Sequence, residues 1–535
     1  MDAKRAVIVG YAVIAAFAVA RVSATRRVFS ATYDEPMHLA CGLDWLYGRP
    51  YTAQPDNPPL ARIVAALPFA LGRVAIPAAT SPDNVSRGNA VLYSGDYRGN
   101  VARARAGNLV FLLAGILATG AWTARRFGRA SGLAAAALFA WLPPVRAHAG
   151  LATTDMAAAA TFAVALVALD RWRDDPTPGR GAAAGAAVAA GVLSKFSFVP
   201  FFAIAAAIVA AARRAPGKGR ALRRSALVAA AVAGLSIWAG YRFEAGTAAG
   251  SLPAAETFVR MAAPPRVRGA AGWLAANVPL PAPLLVAGAA ELDAENVVGH
   301  PGFLLGRVRP RGWWYYFPVA LFYKSPLPFL ALALAGIALA FRGERRAVDV
   351  AAMPLAMLVS VLPSSIDIGV RHLLPLYVPL SAAAGYAAVE MARKPDWRVA
   401  AAILVAWTAI GTEAAHPDYL PWFNEAAGSH PERILGDSNL DWGQDWLRLT
   451  SEIDRKRIRP VAILFSGTVR LPEHLARRGA ELVPFAADRR SAGWYALPEG
   501  ALAADPDARR GAYAWLDDYA FTRIGKSIRL YHVPR

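Results

Sequence analysis

The chain has 535 residues, of which 56% are hydrophobic and only 18% charged, against roughly 45–50% apolar and about 25% charged in ordinary soluble domains. With a mean hydropathy of +0.31, a purely soluble enzyme is excluded, and so is disorder over most of the length. The formal charge is +20, from 58 Lys and Arg against 38 Asp and Glu. Most of the Arg falls in short clusters between apolar runs, which is a topology signal rather than a phosphate-reading stripe, so nucleic acid is excluded as a partner. The single cysteine, Cys41, rules out an intrachain disulfide and any multi-cysteine zinc site.

In chain order, apolar runs fall near 6–22, 104–123, 130–147, 153–170, 181–195, 197–212, 225–241, 323–341, 347–365, 372–391 and 399–415. They predict a mostly α, polytopic membrane protein of about eleven transmembrane helices, with the lipid bilayer as its first partner. The first run is expected to be an uncleaved span, because no small-x-small cleavage site follows it. Lys4 and Arg5 precede it, and the connections 125–129, 171–180, 213–224, 342–346 and 393–398 are rich in Arg. The alternate short loops carry about one basic residue each (Arg146, Lys195, Arg371), so the positive-inside rule places the N-terminus in the cytoplasm. The long loops 23–103 and 242–322 and the tail 416–535 then lie outside. Leu60–Ala79 contains Arg62, Pro68, Arg73 and Pro77, costly in lipid, and is expected as an interfacial helix. Trp313–Phe317 reads as an aromatic belt.

The chain therefore divides into a membrane module, 1–415, and a small α/β domain, 416–535. In the latter, β-like runs (Val461–Phe465, Trp494–Leu497, Ser527–Val533) alternate with helical patterns (Trp446–Arg457, Pro472–Arg478).

Candidate chemistry begins at Thr32-Tyr-Asp34-Glu35-Pro36-Met-His38. Pro36 favours a helix start, which puts both carboxylates at a helix N-terminus with His38 one turn beyond Asp34. One reading is helix capping, the other a carboxylate base just outside the membrane. Asp56-Asn-Pro-Pro-Leu60 follows, then His148 and Thr-Thr-Asp155 at the outer end of the fourth run. By the predicted topology Asp34, Asp155, Lys195, Lys324 and Arg371 all face one side, as a site for an anionic lipid and a hydroxylic partner requires. In the tail, Asp437, Asp441 and Asp445 recur every four residues and would share one helix face. The plainer expectation is that Asp437 or Ser438 caps a helix while the others are solvated.

These motifs, in this order, resemble the phospholipid-carrier-dependent glycosyltransferases of the GT-C class, the group of the protein O-mannosyltransferases and the lipid A aminoarabinose transferase. The carried residues are Tyr-Asp34-Glu35-Pro-x-His38 with Asn57-Pro-Pro-Leu60, Thr-Thr-Asp155-Met, Lys195, Tyr323-Lys324-Ser-Pro-Leu-Pro and Arg371-His372-Leu-Leu-Pro-Leu-Tyr377. Tyr419-Leu-Pro-Trp-Phe-Asn424-Glu425 and Asp437-Ser-Asn-Leu-Asp441-Trp-Gly-Gln-Asp445 resemble a bacterial branch.

The resemblance implies transfer of a sugar from a polyprenyl-phosphate donor to a hydroxyl acceptor, with inversion, at the outer face of a bacterial inner (plasma) membrane. It implies Asp34 as catalytic base with Glu35 beside it. Arg371 would grip the donor phosphate bidentately, Lys324 and Lys195 would act as point charges, and His38, His148, Asp155 and His372 would line the pocket. A divalent metal, where the family uses one, would fall to Asp34, Glu35 and His38. The acceptor is left open among glycolipid, polysaccharide and protein. No Gly-rich phosphate loop speaks for a nucleotide sugar. The rival readings are a lipid or sugar transporter or flippase, which would place ionisable groups near mid-membrane, and a non-catalytic envelope-assembly subunit.

Overall fold

The computed structural model describes residues 3–51, 54–72, 74, 83–212, 219–342, 345–465, 467–471, 482–484, 491–504 and 511–535. The first part of the chain forms α1 (Ala3–Thr25), α2 (Glu35–Leu46), α3 (Pro59–Leu71), α4 (Asn84–Leu92), α5 (Tyr97–Gly107) and α6 (Leu109–Phe127). It continues with α7 (Arg129–Ala140), α8 (Pro143–Ala149), α9 (Asp155–Asp174), α10 (Pro178–Val192), α11 (Phe198–Ala212) and α12 (Gly219–Gly240). The second long loop holds the short helices α13 (Ala248–Ser251), α14 (Ala255–Ala262), α15 (Arg268–Asn277) and α16 (Pro283–Val298). Beyond it run α17 (Tyr316–Lys324), α18 (Leu327–Arg342), α19 (Arg345–Ser360), α20 (Tyr377–Ala392) and α21 (Pro395–Ala414).

Helix covers most of every predicted apolar run, and proline punctuates it. Pro36, Pro143, Pro178 and Pro395 stand in the first turns of their helices, where a missing N–H costs nothing. Pro326 lies in the break between α17 and α18, whose axes bend by 115°. Among the described residues four helical stretches are long and apolar enough to cross a bilayer (Arg5–Thr25, Tyr97–Phe127, Gly219–Gly240 and Val370–Ala392), and a fifth if the bent pair is one span. The helices on the other predicted runs are shorter or, like α9 with charged residues at both ends, less apolar. The chain is a helical, multi-pass membrane protein.

Within Leu60–Ala79, α3 buries Ala61, Arg62, Ala65, Ala66 and Phe69 inside the protein and leaves Leu67 and Leu71 exposed, while 73 and 75–79 fall outside the described residues. One expectation is corrected. Trp313–Phe317 is core rather than belt, since Trp313, Tyr316 and Phe317 are buried and Trp314 is the large exposed ring.

In the tail, α22 (Trp446–Lys456) packs beside a five-stranded mixed sheet. Its strands are β5 (Val461–Ile463), β6 (Leu482–Pro484), β7 (Gly493–Pro498), β8 (Phe521–Ile524) and β9 (Ile528–Val533), in the order β6-β5-β7-β9-β8; in the second long loop β1 and β2 form a short antiparallel pair (Ala245–Gly246 with Leu280–Pro281) and β3 and β4 a short hairpin (Gly302–Leu304 with Arg307–Arg309). β5 runs parallel to both neighbours, while β7, β9 and β8 are antiparallel. The helix expected at Pro472–Arg478 lies outside the described residues. One hydrophobic cluster joins Leu39, Leu43 and Phe69 of the first loop to Trp446, Ile453, Val461 and Leu530 of the tail, so the first loop and the tail share a core. Glycine permits the tight packing around α2: a Cβ at Gly88 would stand 1.7 Å from the Pro36 carbonyl oxygen, and one at Gly42 would stand 2.1 Å from that of Arg62.

Candidate functional site

Asp34 and Glu35 are neighbours with different surroundings. Asp34 occupies the N-cap position of α2 but its side chain makes no capping hydrogen bond, so the capping reading fails. Instead its Oδ2 accepts from Arg371 Nη1 at 2.9 Å, and both residues line a cavity of about 600 Å3 that also meets Tyr33, Asp367, Asp437 and Trp442. Glu35 turns inward and is 3% exposed. Its Oε1 accepts from Arg105 Nε and the Ala152 N–H, both at 2.8 Å. Oε2 accepts from Arg105 Nη2 at 2.7 Å, the Thr32 N–H at 2.7 Å and Thr32 Oγ1 at 3.1 Å. Burial alone would raise this carboxyl, yet the charge and hydrogen bonds of Arg105 and the two backbone N–H groups hold it below the ordinary glutamate value. The expectation of Glu35 as a catalytic group is therefore revised. It is a buried clamp joining the first loop, α5 and the approach to α9.

Arg371 sits at the start of a 3-10 turn, Val370–Leu376, held by the tail. Asn439 Oδ1 accepts the Val370 N–H at 2.9 Å, and Ser438 Oγ donates to the Ile368 carbonyl. The Arg371 guanidinium stacks over Trp442 at 4.2 Å. Trp442 is itself positioned by backbone pairing between the tail and the first loop: the Tyr33 N–H donates to the Trp442 carbonyl and the Ser30 N–H to that of Gln444, both at 3.0 Å. Arg371 Nε and His372 Nε2 are buried with no hydrogen-bond partner among the described residues, which leaves the guanidinium Nε–H free for an incoming anion.

Asp155 forms a second ion pair, with Lys195, whose Nζ donates to Oδ1. Thr153 Oγ1 donates to Oδ2 at 3.0 Å, and His148 Nδ1 stands 3.7 Å from the same oxygen. His148 meets Trp442 edge-on, the centroids 6.1 Å apart. His38 accepts at Nδ1 from Arg62 Nε, 3.2 Å away, and burial together with the Arg62 charge keeps its imidazole well below its ordinary pKa. The charges of Asp155, Arg371 and Lys195 all bear on His38. Asp34, Arg371, Asp155, Lys195, His38, His148 and His372 thus form one charged centre.

Lys324 is not free for a phosphate. Its Nζ donates to the carbonyls of Leu420 at 2.8 Å and Asn439 at 2.7 Å and to that of Trp422, over the Phe423 ring at 4.3 Å. All three ammonium protons are used, so the expected point charge is a pin that fastens the tail to the end of α17. Asn424 reinforces it, donating to the Phe322 and Ser325 carbonyls at 2.6 and 3.0 Å. The proposed metal set also fails to converge. Asp34, Glu35 and His38 each face a different arginine, and among the described residues no three His, Cys, Asp or Glu side chains gather as a metal site does.

The tail aspartates share no helix face and are not solvated as a group. Asp437 lies in a 3-10 turn at φ +51° and lines the cavity. Asp441 accepts the Gly443 and Gly500 N–H groups at 3.1 and 2.9 Å, and burial pushes its carboxyl up to about 7. Asp445 precedes α22 and accepts from Ser527 Oγ at 2.9 Å. Sequence reasoning missed Arg105 and Asp367. Asp367 stands four residues before Arg371 on the cavity wall, and that spacing was the available signal.

The whole chain is similar to ArnT. Against the crystal structure of ArnT from Cupriavidus metallidurans bound to undecaprenyl phosphate, identity is 12% over 97% of both chains, with a TM-score of 0.49. Against the archaeal oligosaccharyltransferase AglB from Archaeoglobus fulgidus, in complex with an inhibitory peptide and a dolichol-phosphate, identity is 14% with a TM-score of 0.47. That alignment covers 83% of this chain and 58% of the oligosaccharyltransferase, a little over half its length. No family model matches the chain, and no curated protein matches it.

Proposed function

We propose that this chain is an integral-membrane glycosyltransferase that moves a sugar from a polyprenyl-phosphate donor to a hydroxyl acceptor at the outer face of a bacterial inner membrane. The observation that carries the reading is the Asp34–Arg371 pair: a carboxylate that caps nothing, hydrogen-bonded to a guanidinium at 2.9 Å, on the wall of a cavity of about 600 Å3.

In this reading Asp34 takes the proton of the acceptor hydroxyl as its oxygen bonds to the anomeric carbon. The bond from that carbon to the phosphate oxygen breaks, and the leaving phosphate gains charge. Arg371 meets that charge through its unpartnered Nε edge, with Lys195 and His372 beside it. Attack opposite the phosphate, with no second nucleophile, gives inversion. The N-terminus is cytoplasmic, and residues 416–535 form the extracytoplasmic domain that holds Arg371 and Trp442 in place.

The test is Asp34→Asn in purified protein assayed with polyprenyl-phosphate sugar and a confirmed acceptor. Because Asp34 makes no cap bond, the variant folds normally. Turnover falls by about 100- to 10,000-fold, the usual worth of a positioned base. Near-wild-type turnover rejects the mechanism.

A further inference from the structure

Resting on the transferase reading above, we propose that the acceptor held in this cavity is an uncharged saccharide, rather than a phosphorylated lipid or a peptide. In a chain of net charge +20, the cavity wall carries the opposite sign. Asp34, Asp367, Asp437 and Asp441 line it, and among the described lining residues the one Arg or Lys is Arg371, which is paired with Asp34 on one side and, in the reading above, takes the donor phosphate on the other. An acceptor bearing its own phosphate meets carboxyl groups with no spare cation, and like-charge contacts in an enclosed site are strongly unfavourable. Asp155 and Lys195, the other ion pair of the centre, do not line this cavity.

The polar groups on the wall suit hydroxyls. Asp367 is 1% exposed; its Oδ2 accepts the Trp313 N–H at 2.6 Å, while Oδ1 is buried with no hydrogen-bond partner among the described residues. An unpaired buried acceptor costs free energy until a donor arrives, and a sugar hydroxyl supplies one. Burial pushes Asp367 up to about 6 and Asp441 up to about 7. Near neutrality these groups therefore spend part of their time as acids able to donate to ring or hydroxyl oxygens. Tyr33, 50% exposed beside Asp34, and the partly buried Phe303 add flat apolar faces to the same wall, on which the C–H face of a pyranose packs. The volume lies within the range of about 300–1,000 Å3 typical of small-molecule sites.

Binding to the full-length protein in nanodiscs that contain polyprenyl phosphate, so that the free edge of Arg371 is occupied, measured by saturation-transfer NMR and calorimetry without any sugar donor, tests this. The probes are methyl glycosides of glucose, galactose, mannose and N-acetylglucosamine, their 6-phosphates, and a Ser/Thr-rich peptide. At least one neutral glycoside is expected to bind about tenfold or more tightly than its 6-phosphate. Asp437→Asn, an exposed wall residue, should narrow that gap, and Asp367→Asn should weaken the neutral glycoside; the first keeps the test open if the second misfolds. Equal or tighter binding of the 6-phosphates overturns the proposal, as does binding of the peptide with no glycoside bound. Since no transferable sugar is present, the two readings fail separately. Normal turnover by Asp34→Asn rejects the transferase mechanism and leaves the saccharide preference standing, while a lost preference with Asp34-dependent transfer rejects only the acceptor class.

Discussion

Replacing Glu35 by Gln separates a clamp from a catalytic group. The carboxylate receives five hydrogen bonds: two from Arg105, two from Thr32 and one from the Ala152 N–H. Glutamine keeps the shape but turns one oxygen into an NH2 group. In either orientation that group faces at least two donors, because Arg105 Nε and the Ala152 N–H meet Oε1 while Arg105 Nη2 and the Thr32 N–H meet Oε2. Arg105 is 0% exposed and also donates to the carbonyls of Arg26, Phe29 and Ser30, so it cannot leave with its charge. Removing one partner of such a buried pair costs about 3–5 kcal/mol, and two lost hydrogen bonds to a charged acceptor, at about 1.5–3 kcal/mol each, give the same range. At 4 kcal/mol the folding equilibrium shifts by roughly 1,000-fold.

The assay is denaturant unfolding of detergent-solubilised protein, with turnover measured per folded molecule. The expected result is a large loss of stability with turnover of the folded fraction within a few-fold of wild type. Unchanged stability with lost turnover refutes the clamp. The pH dependence gives a second check. The folded-state pKa lies below the ordinary value of 4.5, so the clamp contributes fully above that value and its contribution is lost as pH falls through the folded-state pKa. The gap between wild type and Glu35→Gln should close in that acid window.

Lys324→Met keeps the hydrocarbon stem but withdraws the ammonium from three carbonyls; stability should fall by roughly 2–5 kcal/mol, with faster limited proteolysis of the tail. An intact tail with a raised KM for donor would return Lys324 to the phosphate. Arg371→Lys keeps charge but loses the planar stack on Trp442 and the fork shared between Asp34 and phosphate, so transfer should drop roughly tenfold or more at unchanged stability; parity with wild type shows that another cation holds the donor. Burial raises the folded-state pKa of Asp441 to about 7, so the native state holds a proton that the unfolded state releases. Stability should therefore fall as pH rises from about 4 to 7, and Asp441→Asn should flatten that slope in unfolding measured at several pH values.

The sequence placed Asp34, Arg371, Asp155 and Lys195 on one side through topology, which is written locally in apolar runs and Arg clusters; it expected Lys195 as a point charge for phosphate, not as the partner of Asp155. What it could not carry was the identity of each partner. Glu35 meets Arg105 across 70 residues, and Lys324 meets carbonyls 96 to 115 residues away. Backbone carbonyls have no letter in a sequence, so a lysine saturated by them looks the same as one waiting for phosphate. The spacing of Asp437, Asp441 and Asp445 misled for a different reason. A period of four means one face only on a helix, and here Asp437 at φ +51° and Gly443 at φ +81° break the backbone. Gly436 beside the run and Gly443 within it were the warning.

Adjacent acids at a helix start divide their roles by geometry. Asp34 adopts the residue position before the first turn with φ −87° and ψ −20°, its side chain bound to no helix N–H, so it is free to face the cavity. Glu35 is the first helical residue, and its longer side chain reaches back to the Thr32 N–H and inward to Arg105. The Glu35 clamp anchors the turn that carries Asp34. The tail completes the arrangement. The Tyr33 N–H, one residue before Asp34, is held by the Trp442 carbonyl while the Trp442 ring supports Arg371. Asp34 and the cation it contacts are therefore registered through a single tail residue. A segment more than 400 residues from the first loop is thus a structural part of the site, and detaching it should separate Asp34 from Arg371 even with every helix of the membrane module intact.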